Sequence, residues 1–171
     1  MIKMAAITVI VLGAGLLGVT RASQLKKRII LLEGFLCMIL ELKGQINYFR
    51  EPLMNINIHM REKADSEAFI LLERVCHDLR EKEAQISKIW AQKTKEIYNS
   101  SALEEEDIKL FCYAGTFIGQ TDFENQLARF QHLERRLGEQ INSAKENYNR
   151  KGPLYRKIGF LAGGITAIIF I

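Results

Sequence analysis

Residues 4–20 and 158–171 contain no Asp, Glu, Lys or Arg, so all 44 charged side chains of this 171-residue chain lie outside those two stretches. A plain soluble globule spreads its charge along the chain. A polytopic membrane protein repeats its apolar stretches. The pattern here fits neither, and it divides the sequence into two apolar ends and a charged middle. The whole is 48% apolar and 26% charged, which argues for a folded middle rather than a disordered one. Only two prolines and long glycine-free stretches make an all-β sandwich or barrel a poor fit.

As helices the two ends have membrane dimensions. Residues 4–20 would span about 25 Å, and a helix begun after the Gly152-Pro153 break, over 154–171, about 27 Å, against a hydrocarbon core of ~30 Å. Lys3, Arg156 and Lys157 can snorkel to the interface. Each stretch taken alone also reads as a buried core helix. The flanks decide between these readings. Arg21, Lys26, Lys27 and Arg28 follow the first stretch, and Arg150, Lys151, Arg156 and Lys157 precede the second, with no acid among them. Basic flanks stay cytoplasmic. Both ends therefore give the same expected topology, with the middle in the cytoplasm and both termini outside. These bases, together with Lys3, are nine of the 24 in the chain, and they leave the interior with 15 bases against 20 acids. A nucleic-acid binder places its basic stripe on the folded domain, so no nucleic-acid partner is expected. A cleaved signal peptide is the rival reading for the first stretch, but Thr20-Arg21-Ala22 is a poor cleavage site. Cys37, Cys76 and Cys112 are odd in number and widely spaced, and read as reduced, buried thiols of a cytoplasmic domain.

Gly13-Ala-Gly15-Leu-Leu-Gly18 matches the dinucleotide-binding pattern, after the β-branched run Ile7–Val11 and with Glu33 twenty residues beyond Gly13. This is the alternative functional reading, an oxidoreductase. Its context is wrong: the apolar run around Phe35–Leu40 is too long for a second strand, and no later segment resembles further parallel strands. Glycines at this spacing also let membrane helices approach closely.

The middle reads as helices throughout. One over 22–49 continues the first stretch and is apolar all round near 29–42, which places it centrally. Pro52 opens a second through Met60, with Leu53, Ile56 and Met60 on one face. Asp65 or Ser66 caps a third that turns Phe69, Leu72, Val75, Cys76 and Leu79 inward. A fourth carries Ile86, Ile89, Trp90, Ile97 and Tyr98. Ser101 with Glu104 forms a capping box for a fifth, carrying Leu103, Leu110, Phe111, Ala114 and Phe117 and stopping at Gly119. Thr121 with Glu124 caps a sixth, whose seam runs Phe123, Leu127, Phe130, Leu133 or Leu137, Ile141, Ala144 and Tyr148. The expected fold is all-α: an antiparallel six-helix bundle over 22–153 between transmembrane helices at 1–21 and 154–171.

Chemistry is sparse. His59, His77 and His132 are scattered, and adjacent Cys76-His77 point about 100° apart on a helix. There is no phosphate loop, zinc pattern or paired catalytic constellation, so neither cofactor, metal nor small-molecule substrate is expected. Glu104-Glu105-Glu106-Asp107 reads as compensation of a helix dipole or as a docking patch for a basic partner. Trp90 reads as core.

Three stretches carry a family likeness: Ile46-Asn47-Tyr48 with Pro52-Leu53; Ala114-Gly115-Thr116-Phe117-Ile118-Gly119-Gln120-Thr121-Asp122-Phe123-Glu124-Asn125-Gln126; and Leu154-Tyr155-Arg156-Lys157-Ile158-Gly159. On these the chain resembles the stage III sporulation protein AB family of spore-forming bacteria over nearly its whole length. It departs from the family's habit at Gln45, where an acid is common, and in the polar Met54-Asn55-Ile56-Asn57 run. The resemblance implies a non-enzymatic platform, similar to the inner-membrane platform proteins of type II secretion and type IV pilus machines. It also implies a place in the channel joining mother cell and forespore, in the mother-cell membrane. A cytoplasmic motor ATPase, other membrane subunits and the bilayer are the implied partners, with self-association open. Tyr48, Pro52, Gly115, Gly119, Asp122, Asn125 and Gln126 become candidate structural or interaction residues. Arg21, Lys26, Lys27, Arg28, Arg156 and Lys157 become membrane-interface anchors.

Overall fold

The computed structural model describes residues 2–49, 67–81, 85–119 and 123–170; of these, the side chains of 2–12, 14, 47–49, 123, 156, 160 and 162–170 fall outside the description. Five helices are present: α1 (Ile2–Phe49), α2 (Glu67–Glu81), α3 (Ile86–Tyr98), α4 (Glu105–Ala114) and α5 (Phe123–Phe170). No strand occurs among the described residues. The all-α expectation therefore stands. The sixth helix of that expectation, Pro52–Met60, lies outside the described residues, as do Asp65, Ser66 and Thr121 as caps.

Two compact units emerge, one from Met1–Ile29 with Asn142–Ile171 and one from Ile30–Ile141. In the second, one face of each helix supplies the core. Leu32, Phe35, Met38, Ile39 and Leu42 come from α1; Leu71, Leu72, Val75 and Cys76 from α2; Ile89, Trp90 and Tyr98 from α3; Phe111 and Ala114 from α4; and Phe130, Leu133, Leu137 and Ile141 from α5. Phe35 stacks on Phe111 with ring centroids 3.7 Å apart, and Tyr98 meets the same ring edge-on at 5.2 Å. At the rim, Lys43 pairs with Glu134 at 2.8 Å and Lys93 with Asp78 at 3.1 Å.

Several local expectations need correction. The α4 cap is Glu104 rather than Ser101. Its side chain accepts from the backbone of Asp107, while the Asp107 carboxylate accepts from Glu104 N at 2.9 Å. Ser101 instead donates to the Tyr98 carbonyl at 2.7 Å, closing the end of α3. Helix α4 stops at Ala114, and Gly119 ends the turns that follow it. Both Leu133 and Leu137 belong to the α5 seam, but Gln126 takes the buried place expected for Leu127, which is half-buried. Of the three cysteines, all free, only Cys76 is fully buried, and Cys37 is exposed.

In the first unit the glycine motif lies wholly inside α1, not at a strand-to-helix turn. A nucleotide cradle needs non-helical backbone there, and the oxidoreductase reading has no support. Gly18 instead packs so closely that a Cβ would strike the Tyr155 carbonyl oxygen and come within 3.2 Å of Gly159 Cα. Close helix packing is thus the role of this glycine, whereas Gly13 faces open space. The expected break at Gly152-Pro153 does not form, because α5 runs through it. Pro153 gives up a helical hydrogen bond and its ring crowds the residue before it, and Gly152 lacks the Cβ that would add to that crowding. Gly152 also sits against the Tyr148 ring, with 3.3 Å available to a Cβ.

Among the described residues, no helix is long and apolar enough to cross a membrane. The segments expected to do so, 1–21 and 154–171, are helical over the described residues 2–21 and 154–170, but most of their side chains lie outside the description. The described part of this unit leaves Leu16, Leu17, Leu154, Ile158 and Leu161 at least half exposed.

Candidate functional site

The described parts of the family-like stretch, 114–119 and 123–126, lie at a corner where α3, α4 and α5 meet. Its centre is Trp90, fully buried on α3, whose indole Nε1 donates to the Phe111 carbonyl at 2.9 Å. That carbonyl lies in the last turn of α4, where carbonyls lack helical partners. Gly115 follows directly and lies against the indole. A Cβ there would stand 2.5 Å from Trp90 Cβ and 2.7 Å from its Cδ1. Glycine is required here by the neighbour and not by the backbone, which is ordinary right-handed helix (φ −67°, ψ −12°).

The chain then winds through two turns, in which Thr116 Oγ1 donates to the Tyr113 carbonyl at 2.8 Å. Phe117 and Ile118 go into the core. Gly119 adopts φ +82°, a conformation L side chains rarely take, with Ile86 Cδ1 only 2.6 Å from where a Cβ would be. On α5, the buried Gln126 amide reaches back to donate to the Phe117 carbonyl at 3.1 Å, and Phe130 meets the Phe117 ring edge-on at 5.0 Å. Two buried side-chain donors thus answer two carbonyls, one in the last turn of α4 and one in the turns after it, and two glycines let the elements close on them.

The structure therefore gathers Gly115, Gly119 and Gln126 into one corner. Asn125 stands outside it, exposed, and accepts from Arg129 Nε at 3.3 Å. Pro52 and Asp122 lie outside the described residues, as does the Tyr48 side chain. Of the interface anchors, Arg21, Lys26, Lys27 and Lys157 are exposed and the Arg156 side chain is outside the description. Arg28 departs from that role: it is 4% exposed and is engaged in the unit's interior. A long basic side chain on the inner face of a helix packs by its stem as well as its charge, which a count of flanking charges does not reveal.

The chemistry of the corner is that of packing. Burial raises the Cys76 thiol to about 11, against the Arg80 charge that lowers it, and burial also raises Cys112, against Lys95 and the Thr94 hydroxyl. Both act as neutral apolar groups near neutrality rather than nucleophiles. His77 lies 3.7 Å from Asp78 and 3.6 Å from Glu81, beside acids on its own helix. No metal-holding group of three His, Cys, Asp or Glu occurs among the described residues.

Sequence reasoning missed the role of Trp90 as a hydrogen-bonded wedge. The available signal was Trp90 as the sole tryptophan with a small residue, Gly115, at a helix end.

A family model described as stage III sporulation protein AB matches residues 3–171. The chain belongs to the stage III sporulation protein AB family. The match takes in the corner, both helical units and both apolar ends. Nothing matches among curated proteins or among solved structures. As a member of the stage III sporulation protein AB family, this is a sporulation protein built of helices.

Proposed function

We propose that this family member is a non-catalytic, membrane-attached scaffold of a secretion-like sporulation assembly. In this reading the unit formed by Met1–Ile29 and Asn142–Ile171 holds the protein in the mother-cell membrane. The bundle over Ile30–Ile141 is presented in the cytoplasm to a motor ATPase and to other membrane subunits. The observation that carries membrane attachment is the exposed apolar surface of the first unit, with Leu16 at 66%, Leu17 at 71% and Leu161 at 65%. Leucines left this open over neighbouring helical turns are costly in water and mark an apolar environment. The charge-free ends and their basic flanks support the same arrangement.

The scaffold reading is supported by what fills the bundle. Three of its buried polar side chains, Trp90, Asp107 and Gln126, hydrogen-bond to backbone at or just beyond helix ends and so stiffen the domain there. A stiff bundle suits transmission of force from a motor to a membrane complex.

The test uses Cys37, the exposed native thiol. A membrane-impermeant maleimide applied to intact sporulating cells should leave Cys37 unlabelled and should label it after permeabilisation. Labelling of Cys37 from outside intact cells would sink the topology, and with it the scaffold.

A further inference from the structure

The division into two units separates charge more sharply than the sequence clusters do. Met1–Ile29 and Asn142–Ile171 together hold ten bases and a single acid, Glu146, a formal +9; Ile30–Ile141 holds fourteen bases and nineteen acids, a formal −5. Glu146 lines a polar recess together with Ser143, Asn147 and Arg150. Arg28 is buried. Of the remaining bases with described side chains, Arg21, Lys26, Lys27, Lys145 and Lys157 are exposed and Lys151 is half-exposed; Lys27 and Lys145 already have interaction partners. Beyond Glu146 the unit contains no acid.

These bases are ordered along the helices. From the crossing of Gly18 with Tyr155 and Gly159, the stretches toward the chain ends expose Leu16, Leu17, Ile158 and Leu161. The stretches toward Ile29 and Asn142, where both helices leave the unit, expose Arg21, Lys26 and Arg150. Leu154 and Tyr155 lie at the crossing, and Lys157 alone among the described bases falls within the apolar level. An apolar level next to a basic level, with Glu146 as the unit's single acid, is complementary to acyl chains topped by anionic headgroups. A free polyanion such as a nucleic acid would answer the bases and leave the leucines in water.

Resting on the membrane reading above, we infer that this unit binds anionic phospholipid selectively, with Arg21, Lys26 and Lys151 engaging the headgroups. Each basic residue at an anionic surface strengthens binding about fivefold, and the attraction is screened by salt.

The experiment is flotation of the full-length chain, diluted from detergent, with vesicles of phosphatidylcholine alone or with about one third phosphatidylglycerol. Flotation with both is expected, with at least tenfold tighter association to the phosphatidylglycerol vesicles, falling as salt rises. The triple variant Arg21→Gln/Lys26→Gln/Lys151→Gln should still float but lose at least tenfold of that preference. Equal association of the parent with both vesicles, or an unchanged preference in the triple variant, overturns anionic-lipid selectivity and leaves membrane attachment standing. Failure to float with either vesicle overturns attachment itself and this inference with it. A short DNA duplex that competes as well as phosphatidylglycerol vesicles would assign the charge to nucleic acid and also overturn the inference.

Discussion

Replacing Gly115 with alanine sets two effects against each other, and the structure says which prevails. Gly115 has ordinary helical dihedrals, φ −67° and ψ −12°, so alanine would restrict the unfolded chain and gain about 0.5–1 kcal/mol from the backbone alone. Its Cβ, however, would lie 2.5 Å and 2.7 Å from Trp90 Cβ and Cδ1. Trp90 has no exposed surface to retreat into, and its indole is tied to Phe111 O at 2.9 Å. Forcing a methyl into such a site costs about 1–3 kcal/mol, and breaking the indole hydrogen bond adds about 1 kcal/mol. The net expectation is a loss of about 2 kcal/mol. Gly138, within α5, meets nothing within 4 Å of its would-be Cβ, so Gly138→Ala should gain up to about 1 kcal/mol. The assay is urea unfolding of the full chain in detergent micelles, followed by tryptophan fluorescence. Trp90 is the single tryptophan and reports on the corner directly. The two alanines should shift the midpoint in opposite directions. A Gly115→Ala protein that unfolds at the parental midpoint or above it would refute the wedge.

Gln126→Leu removes the buried donor to Phe117 O and should cost about 1–3 kcal/mol in the same unfolding assay. Leu137→Asp places a charge at a position with no exposure and should cost several kcal/mol, whereas Leu127→Asp, half-buried, should cost clearly less; equal midpoints would mean the α5 seam is misassigned. A thiol reagent at neutral pH should modify Cys37 first, Cys112 more slowly and Cys76 only on unfolding. Because the folded Cys76 thiol is raised from 9.0 to about 11, its contribution to stability is complete below pH 9 and declines as pH rises toward 11, which alkaline melts with and without Cys76→Ala will read. Gly18→Leu should lower the thermal midpoint through its clash with Tyr155 and Gly159, while Gly13→Leu should not.

Helix existence was legible because it rests on local spacing. The inward faces of α2, α3 and α5 follow from apolar residues three and four apart; Phe69, Leu72, Val75, Cys76, Ile89, Trp90, Tyr98, Phe130, Leu133, Leu137, Ile141 and Ala144 are buried as read, whereas Leu79, Ile86, Ile97, Leu127 and Tyr148 are half-buried. What was illegible depends on a second segment. At the start of α5 the apolar rule picks Leu127, because nothing local says that a carbonyl at Phe117 needs a donor; once it does, Gln126 takes the inner place and Leu127 turns partly outward. Ser101 and Glu104 fit a capping box by spacing, but the Tyr98 carbonyl claims the serine and Glu104 caps instead. Both are competitions between polar partners, worth about 1 kcal/mol each, which a hydrophobic pattern does not register.

The glycines make the same point more sharply. Gly13, Gly15 and Gly18 satisfy a phosphate-binding spacing and a helix-packing spacing equally well; the long apolar run that follows already speaks against the first, and the continuity of α1 and the approach of Tyr155 to Gly18 decide for the second. Gly152-Pro153 has the composition of a helix end, yet α5 passes through the proline, at a position where Gly152 brings no Cβ to crowd its ring. In each case the residue type limits what the backbone can do, and a contact far along the chain selects among the options. That is why Gly115, whose dihedrals would suit any residue, is specified only by the indole that it faces.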